Sequence, residues 1–354
     1  MGAPGPLNLI TDVAGLRVGH AVDEKVRTGV TVILPDNRAA CSVDVRGGGS
    51  GTRETDLLRP EAAMPAVDAL CLSGGSAFGL DSASGAMQWL VERGRGFGVR
   101  GHVVPIVPAA ILFDLANGGD KAWGREPPYR QLGYAACEVA TAGDFALGNI
   151  GAGFGAMAGR LKGGLGSASW QEEDGLVVAA LVAANPVGSV LTPGNGAFWA
   201  APFEQGDEFG GLGAAPDAEI ALGIAAECRI ARPAPAGHMG GHVGGHTCIG
   251  VVATNATFDK SALRQVAVMA HDGLARAIRP VHTPMDGDTI FALATATWQD
   301  RGDAAGRDWQ IARTGSIAAD CMARAVARAV WSAEPLGELD SARGLLRRQQ
   351  EEKR

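Results

Sequence analysis

The residue with the greatest chemical potential in this sequence is Thr247. It opens an apolar run, TCIGVVATNA, directly after the stretch RPAPAGHMGGHVGGH at 232–246. The Pro-, Gly- and His-rich stretch has almost nothing to bury and reads as an exposed loop, whereas the run after it reads as a core strand. Threonine is a weak nucleophile unless a base sits beside it. Breaking the chain ahead of Thr247 supplies one, because the freed α-amino group has an ordinary pKa of about 7.7–8. That lies close to where a general base works best. The junction also admits a plain reading, in which Thr247 is a β-branched residue opening a strand.

Other constellations carry weaker signals. In His282-Thr-Pro-Met-Asp286-Gly-Asp288-Thr289 two acids stand two residues apart. In an extended segment both carboxylates point the same way and could orient an ammonium and a hydroxyl, or hold a cation; an Asp-Gly turn capped by its own acids is the alternative. Asn185, at the end of LVVAALVAA, could donate to a developing oxyanion or belong to an ordinary Asn-Pro turn. Lys162 stands in a Gly-rich stretch from Arg160 to Ser167 that lacks the order of a phosphate-binding loop. A GxGxxG at Gly96, Gly98 and Gly101 has no helix pattern behind it. His238, His242 and His246 have helical ligand spacing, but the four glycines between them oppose a helix by about 1 kcal/mol each. No metal and no cofactor is expected.

These groups need a framework, and the sequence provides one. With 46% apolar and 19% charged residues in 354, a large core is available and global disorder is excluded. The net charge of −7 has no basic stripe beneath it, which argues against nucleic acid as a partner. No apolar stretch is long enough to span a membrane, no signal-peptide pattern opens the chain, and six dispersed cysteines suit reduced thiols. A cytoplasmic location is the expectation. Strands are predicted at Thr28–Leu34, Cys41–Arg46, Val67–Leu72, Val103–Leu112, Leu176–Ala184, Thr247–Thr254 and Thr289–Thr297. Helical spacing appears from Ala77 to Val91, after Asp259 as far as Ala277, and from about Ser316 to Trp331. Helices layered over sheets are the predicted packing.

Several of these stretches occur together in an order that resembles the DmpA-type aminopeptidases, a family that includes β-peptidyl aminopeptidases, the pantetheine hydrolase ThnT and nylon-oligomer hydrolases. They are LITDVAGLRVGH (9–20), TGVTVILP (28–35), DVRGGGSGTRETDLL (44–58), LSGGSAFGLDSASGAMQWL (72–90), NIGAGFGA (149–156), KGGLGSAS (162–169), NPVG (185–188), TCIGVVATN (247–255) and HTPMDGDTIFALAT (282–295). The resemblance implies a single α/β domain over 1–354, built as a four-layer αββα sandwich. It further implies self-cleavage between His246 and Thr247 into an α chain (1–246) and a β chain (247–354), usually assembled as a tetramer of such heterodimers. Thr247 becomes the nucleophile, Asn185 the oxyanion donor, Asp286 and Asp288 the paired acids, and Lys162, or alternatively Arg160, the active-site base residue. The implied reaction is hydrolysis of a small peptide, an aminoacyl amide or a 6-aminohexanoate (nylon) oligomer, without a cofactor. An acyltransferase like the ornithine acetyltransferases is the alternative. Two positions depart from the family pattern. Phe113 falls where the family carries an active-site Tyr, and His246 stands where relatives often have Asn or Gly.

Overall fold

The computed structural model describes residues 2–193, 196–214, 228–229, 245–298 and 306–352. Eight strands precede α2 (Tyr129–Glu138): β1 (Leu16–Asp23), β2 (Thr28–Pro35), β3 (Ala40–Val45), β4 (Thr52–Arg53), β5 (Leu70–Ser73), β6 (Phe97–Val99), β7 (His102–Val104) and β8 (Ala109–Ile111). Among the described residues, β9 (Met157–Ala158), β10 (Leu161–Lys162), β11 (Gly164–Gln171), β12 (Val177–Ala184), β13 (Ile249–Thr254) and β14 (Thr289–Ala294) follow. The α-helices are α1 (Ser82–Val91), α2 (Tyr129–Glu138), α3 (Lys260–Ala277), α4 (Gly306–Trp331) and α5 (Ala342–Glu352).

Two five-stranded sheets, ordered β1-β2-β5-β8-β4 and β11-β12-β13-β14-β3, form the centre. Every residue of β2, β12, β13 and β14 is buried, so these strands present apolar side chains to both faces. Apolar residues occupy three layers. One, with Ile33, Leu72, Leu181, Val251 and Phe291, lies between the sheets. A second, with Val30, Val32, Ala83 and Leu90, seats α1 and α2 on the first sheet; a third, with Val182, Val252, Leu263 and Met322, seats α3 and α4 on the second. The result is the four-layer αββα sandwich. The third layer depends on α3 starting where it does, and the Asp259 carboxylate caps it by accepting from the Ala262 amide at 2.9 Å.

The elements differ from expectation in instructive places. The run Val103–Leu112 is two short strands, because Pro105 and Pro108 interrupt the ladder between β7 and β8. The helix expected from Ser316 begins at Gly306, and the one expected from Ala77 opens with a 3-10 segment, Ser76–Asp81. The stretch after Lys162, read as a Gly-rich loop, is the buried strand β11. Its glycines admit the backbone of α4: a Cβ on Gly164 would stand 2.5 Å from the Ala329 carbonyl oxygen.

Topology then sets the site. β12 runs antiparallel to β13, and β13 parallel to β14, with Ala183 opposite Ile249 and Ile249 opposite Thr289. The C-terminal end of β12 therefore meets the N-terminal ends of β13 and β14. Asn185, Thr247 and the acids at 286 and 288 are brought together there from positions far apart in sequence.

Candidate active site

Thr247 is buried, with 1% of its surface exposed. Its backbone N–H donates to the Asn185 carbonyl at 2.9 Å, and its hydroxyl donates to the carbonyl oxygen of His246. The nucleophile candidate is thus held against the very peptide group that precedes it. A Cβ on Gly287 would stand 2.7 Å from the Thr247 hydroxyl oxygen, so only glycine lets the 286–288 segment approach this closely. A parallel bridge between His246 and Asp286, with the Gly287 N–H on the His246 carbonyl at 3.0 Å, locks that segment beside the junction.

The two acids flank Thr247 without touching it. Asp288 Oδ1 accepts from the Cys248 amide at 2.8 Å, and its Oδ2 accepts from His282 Nδ1 at 2.8 Å. Asp286 Oδ2 accepts from the Thr283 amide (2.9 Å) and hydroxyl (2.6 Å), and its Oδ1 from the Val187 amide at 3.3 Å. Burial, reinforced by the neighbouring Asp288 carboxylate, raises the Asp286 pKa to about 6. A peptide N–H has a single hydrogen, and that of Thr247 is already used by Asn185. A free α-ammonium has three, so the carboxylates gain a partner only once the bond ahead of Thr247 is broken.

Asn185 has a fixed orientation. Its Oδ1 accepts from the Met157 amide at 2.9 Å and from Arg229 Nη2 at 3.2 Å, which turns Nδ2 towards Phe113, whose carbonyl it meets at 3.3 Å. Lys162, opposite Met157 in the β9–β10 hairpin, is fully buried. Its ammonium donates to the carbonyls of Gly153 (3.1 Å) and Gly163 (2.7 Å), and burial lowers its pKa to about 7, against a smaller opposing pull from Asp114. Arg160 lies exposed in the hairpin turn. Of the two basic residues, Lys162 is the enclosed one, and its hairpin partner Met157 is bonded to Asn185.

This environment predicts a pH effect on stability. Between about pH 7 and pH 10 the unfolded chain keeps the Lys162 proton that the buried amine has released, so unfolding free energy rises with pH by at most about 1.4 kcal/mol per unit. In an uncut background, Lys162→Met is expected to flatten that rise in urea titrations; an unchanged slope would show the amine to be charged throughout.

Two participants had no role assigned to them from the sequence. Arg229 donates Nε to the Gly159 carbonyl at 2.8 Å and Nη1 to His246 Nδ1 at 2.6 Å, with further bonds to the carbonyls of Gly245 and Met157. It grips both the residues before Thr247 and the oxyanion candidate, and burial brings its pKa down to about 9. His282 stands in the left-handed region at φ +54°, and its ring meets the buried His271 ring edge-on at 4.8 Å. A lone arginine in a small-residue stretch has no period or motif to betray it. His282 lay inside the motif but showed its role only as a partner of Asp288.

Phe113 does line the cleft, in a pocket of about 240 Å³ shared with Asp114, Asn117, Gly155, Met157, Arg229, Gly245 and His246. His238 and His242 of the three-histidine spacing lie outside the described residues. No His, Cys, Asp or Glu cluster suited to a metal occurs among the described residues. Cys248 next to Thr247 is buried, and burial pushes its thiol well above the ordinary range. Cys248→Ala is therefore expected to retain hydrolysis within a few-fold of wild type in a steady-state assay, and loss of activity would move the nucleophile by one residue.

The model of peptidase family S58 matches residues 8–343. A protein named an uncharacterized aminopeptidase of Mycobacterium tuberculosis is 43% identical over 353 residues, covering 96% of this chain and 98% of its own length. A 6-aminohexanoate-oligomer endohydrolase of Kocuria sp. is 30% identical over 293 residues, covering 80% of this chain and 74% of its own. Among solved structures, the L-aminopeptidase D-Ala-esterase/amidase of Ochrobactrum anthropi, described as a variant of the Ntn hydrolase fold, superposes with a TM-score of 0.70 at 20% identity, covering 99% of this chain and 96% of its own. A Burkholderia sp. β-aminopeptidase gives 0.68 at 22% identity, with the same coverage.

Proposed function

The chain belongs to peptidase family S58, and from that premise we propose that it cleaves itself before Thr247 and then hydrolyses small peptide or amide substrates with Thr247 as nucleophile. The chain is a hydrolase of amide bonds. Relatives named for peptide and 6-aminohexanoate-oligomer hydrolysis speak against the acyltransferase alternative. One observation carries the Thr247 reading: a buried hydroxyl bonded to the carbonyl immediately before it, beside an orienting asparagine and two buried acids.

In self-cleavage Thr247 Oγ adds to the His246 carbonyl carbon, the C–N bond breaks, and the acyl group moves to oxygen as an ester. Water then hydrolyses that ester, leaving chains 1–246 and 247–354 and a free amine on Thr247. In turnover the amine takes the hydroxyl proton while Oγ attacks a substrate amide, and the proton passes to the departing amine. Water then releases the acyl group from Oγ. Asn185 Nδ2 faces the developing oxyanion, while Asp286 and Asp288 hold the new ammonium and hydroxyl in register. Lys162, near neutrality at physiological pH, stands as the enclosed base residue beside them. Asp114, which accepts from the Thr28 hydroxyl at 2.6 Å and the Gly75 amide at 2.8 Å, is the one carboxylate lining the Phe113 pocket and the group proposed to attract the substrate's ammonium.

N-terminal residues of L-, D- or β-peptides and 6-aminohexanoate oligomers are the proposed substrates. A tetramer of αβ heterodimers in the cytoplasm completes the reading. All six cysteines are free and buried, as suits a reducing compartment, and no described helix is long and apolar enough to cross a membrane. Intact mass spectrometry of the purified protein, run beside an aminoacyl-amide assay, tests the whole scheme. Activity from a chain that stays in one piece would overturn it.

A further inference from the structure

The Phe113 pocket does not end at Met157. Ala116, Asn117 and Met157 also line a second cavity of about 530 Å³, whose other walls are Arg27, Gly118 and Leu336–Leu339. Those shared residues form the neck between the two spaces. Met157 is also the residue whose amide fixes the Asn185 side chain, so the oxyanion candidate is bonded to a wall of the neck.

Arg27 is built into the outer cavity in an unusual way. It ends the turn between β1 and β2 at φ +57°, where glycine or asparagine is the ordinary occupant. Asn117 Nδ2 holds its backbone carbonyl at 2.9 Å. Its guanidinium lies between two positive-φ glycines from different loops: a Cβ on Gly118 would stand 2.7 Å from Nη1, and one on Gly337 2.5 Å. Of its five N–H donors, one is used, by the Asn117 carbonyl at 3.3 Å, and among the described residues it forms no salt bridge. Lys121, bonded to Asn117 Oδ1 at 3.0 Å, adds a second cation nearby. Glu338 is the one acid on the cavity wall, and it is exposed and pairs with neither. A strained arginine kept where glycine is easier, with its fork cleared by glycines and its donors spare, is arranged for a planar anion.

We propose that this cavity is a carboxylate subsite, and that the preferred substrates are short zwitterionic chains whose free carboxylate reaches Arg27. In such a complex the ammonium end lies towards Asp114 in the inner pocket, the scissile amide lies at the neck beside Asn185, and the carboxylate end of the departing amine lies against Arg27. This rests on the hydrolase reading above and narrows it to dipeptide-sized substrates and short oligomers over long polypeptides.

The test compares each probe as the free acid and as its carboxamide: alanyl dipeptides, β-alanyl dipeptides and the linear 6-aminohexanoate dimer. Processed wild type is expected to cleave the acids with kcat/KM about 10- to 100-fold above the amides, the range set by a charged hydrogen bond. Arg27→Asn suits the left-handed backbone and removes the charge, so it should lose that preference through KM for the acids while leaving the amides unchanged. Arg27→Lys should recover part of it. Equal rates on acid and amide in wild type, or equal losses on both in Arg27→Asn, would overturn the subsite while leaving the hydrolase intact. Should processed wild type turn over none of the probes, the hydrolase reading fails by itself. Thermal shifts with alanine, β-alanine and 6-aminohexanoate against their amides then still decide the subsite: stabilisation by the acids that Arg27→Asn removes supports it, and no difference refutes it.

Discussion

Thr247→Ala is expected to leave a single uncut chain of 354 residues in which amide hydrolysis falls by about 10⁴-fold or more, the scale of removing a nucleophile. Wild type, by contrast, is expected to separate on a denaturing gel into pieces of 246 and 108 residues. The size of the effect follows from the double use of one oxygen. In the proposed scheme Thr247 Oγ makes the ester that severs the chain, and the same oxygen, with the amine thereby exposed, attacks the substrate. Alanine removes the hydroxyl but fits the space beside Gly287, so the uncut variant should fold. Thr247→Ser keeps the oxygen and should process. An uncut Thr247→Ala protein that still turns over aminoacyl amides would sink the scheme, and a cut one would place the scissile chemistry elsewhere.

How much of this was legible in the sequence depends on what each residue's role rests upon. Thr247 was visible because composition changes abruptly at 246, from a Pro-, Gly- and His-rich sequence with few apolar residues to an apolar strand that is buried throughout. Strands β2, β12, β13 and β14 were visible for a related reason: with sheet or helix on both faces, they carry unbroken apolar runs. Strand β11 was hidden because close approach of α4 selects small residues, and GLGSASWQ then looks like a loop. Strand β1, LRVGHAVD, alternates too weakly between buried and exposed positions to be marked as a strand. Within the site, Asp286 and Asp288 were legible as a local pair, but the parallel register that sets them against Thr247 is a property of two sheet neighbours 40 residues apart. Arg229 is more distant still from pattern: its bonds to Asn185, Met157 and His246 are all made across space. The choice between Lys162 and Arg160 is also three-dimensional, since it turns on which side of a hairpin faces inward.

Asn185 offers the second large effect, and one that separates chemistry from binding. Asn185→Ala is expected to lower kcat for amide hydrolysis by about 10²–10³, with KM changed little, because the lost donor serves an oxygen that becomes charged only in the transition state. Self-cleavage should slow as well, since the His246 carbonyl passes through the same kind of intermediate. Asn185→Asp sharpens the argument. The Met157 amide and Arg229 can still donate to one carboxylate oxygen, at the positions now 2.9 and 3.2 Å from Oδ1, so the side chain stays where it is. The other oxygen then presents negative charge to the developing oxyanion. A positioning role would survive that change and a donor role would not, so the aspartate variant should be at least as impaired as alanine. Near-normal kcat in Asn185→Asp would move the oxyanion donor to another group.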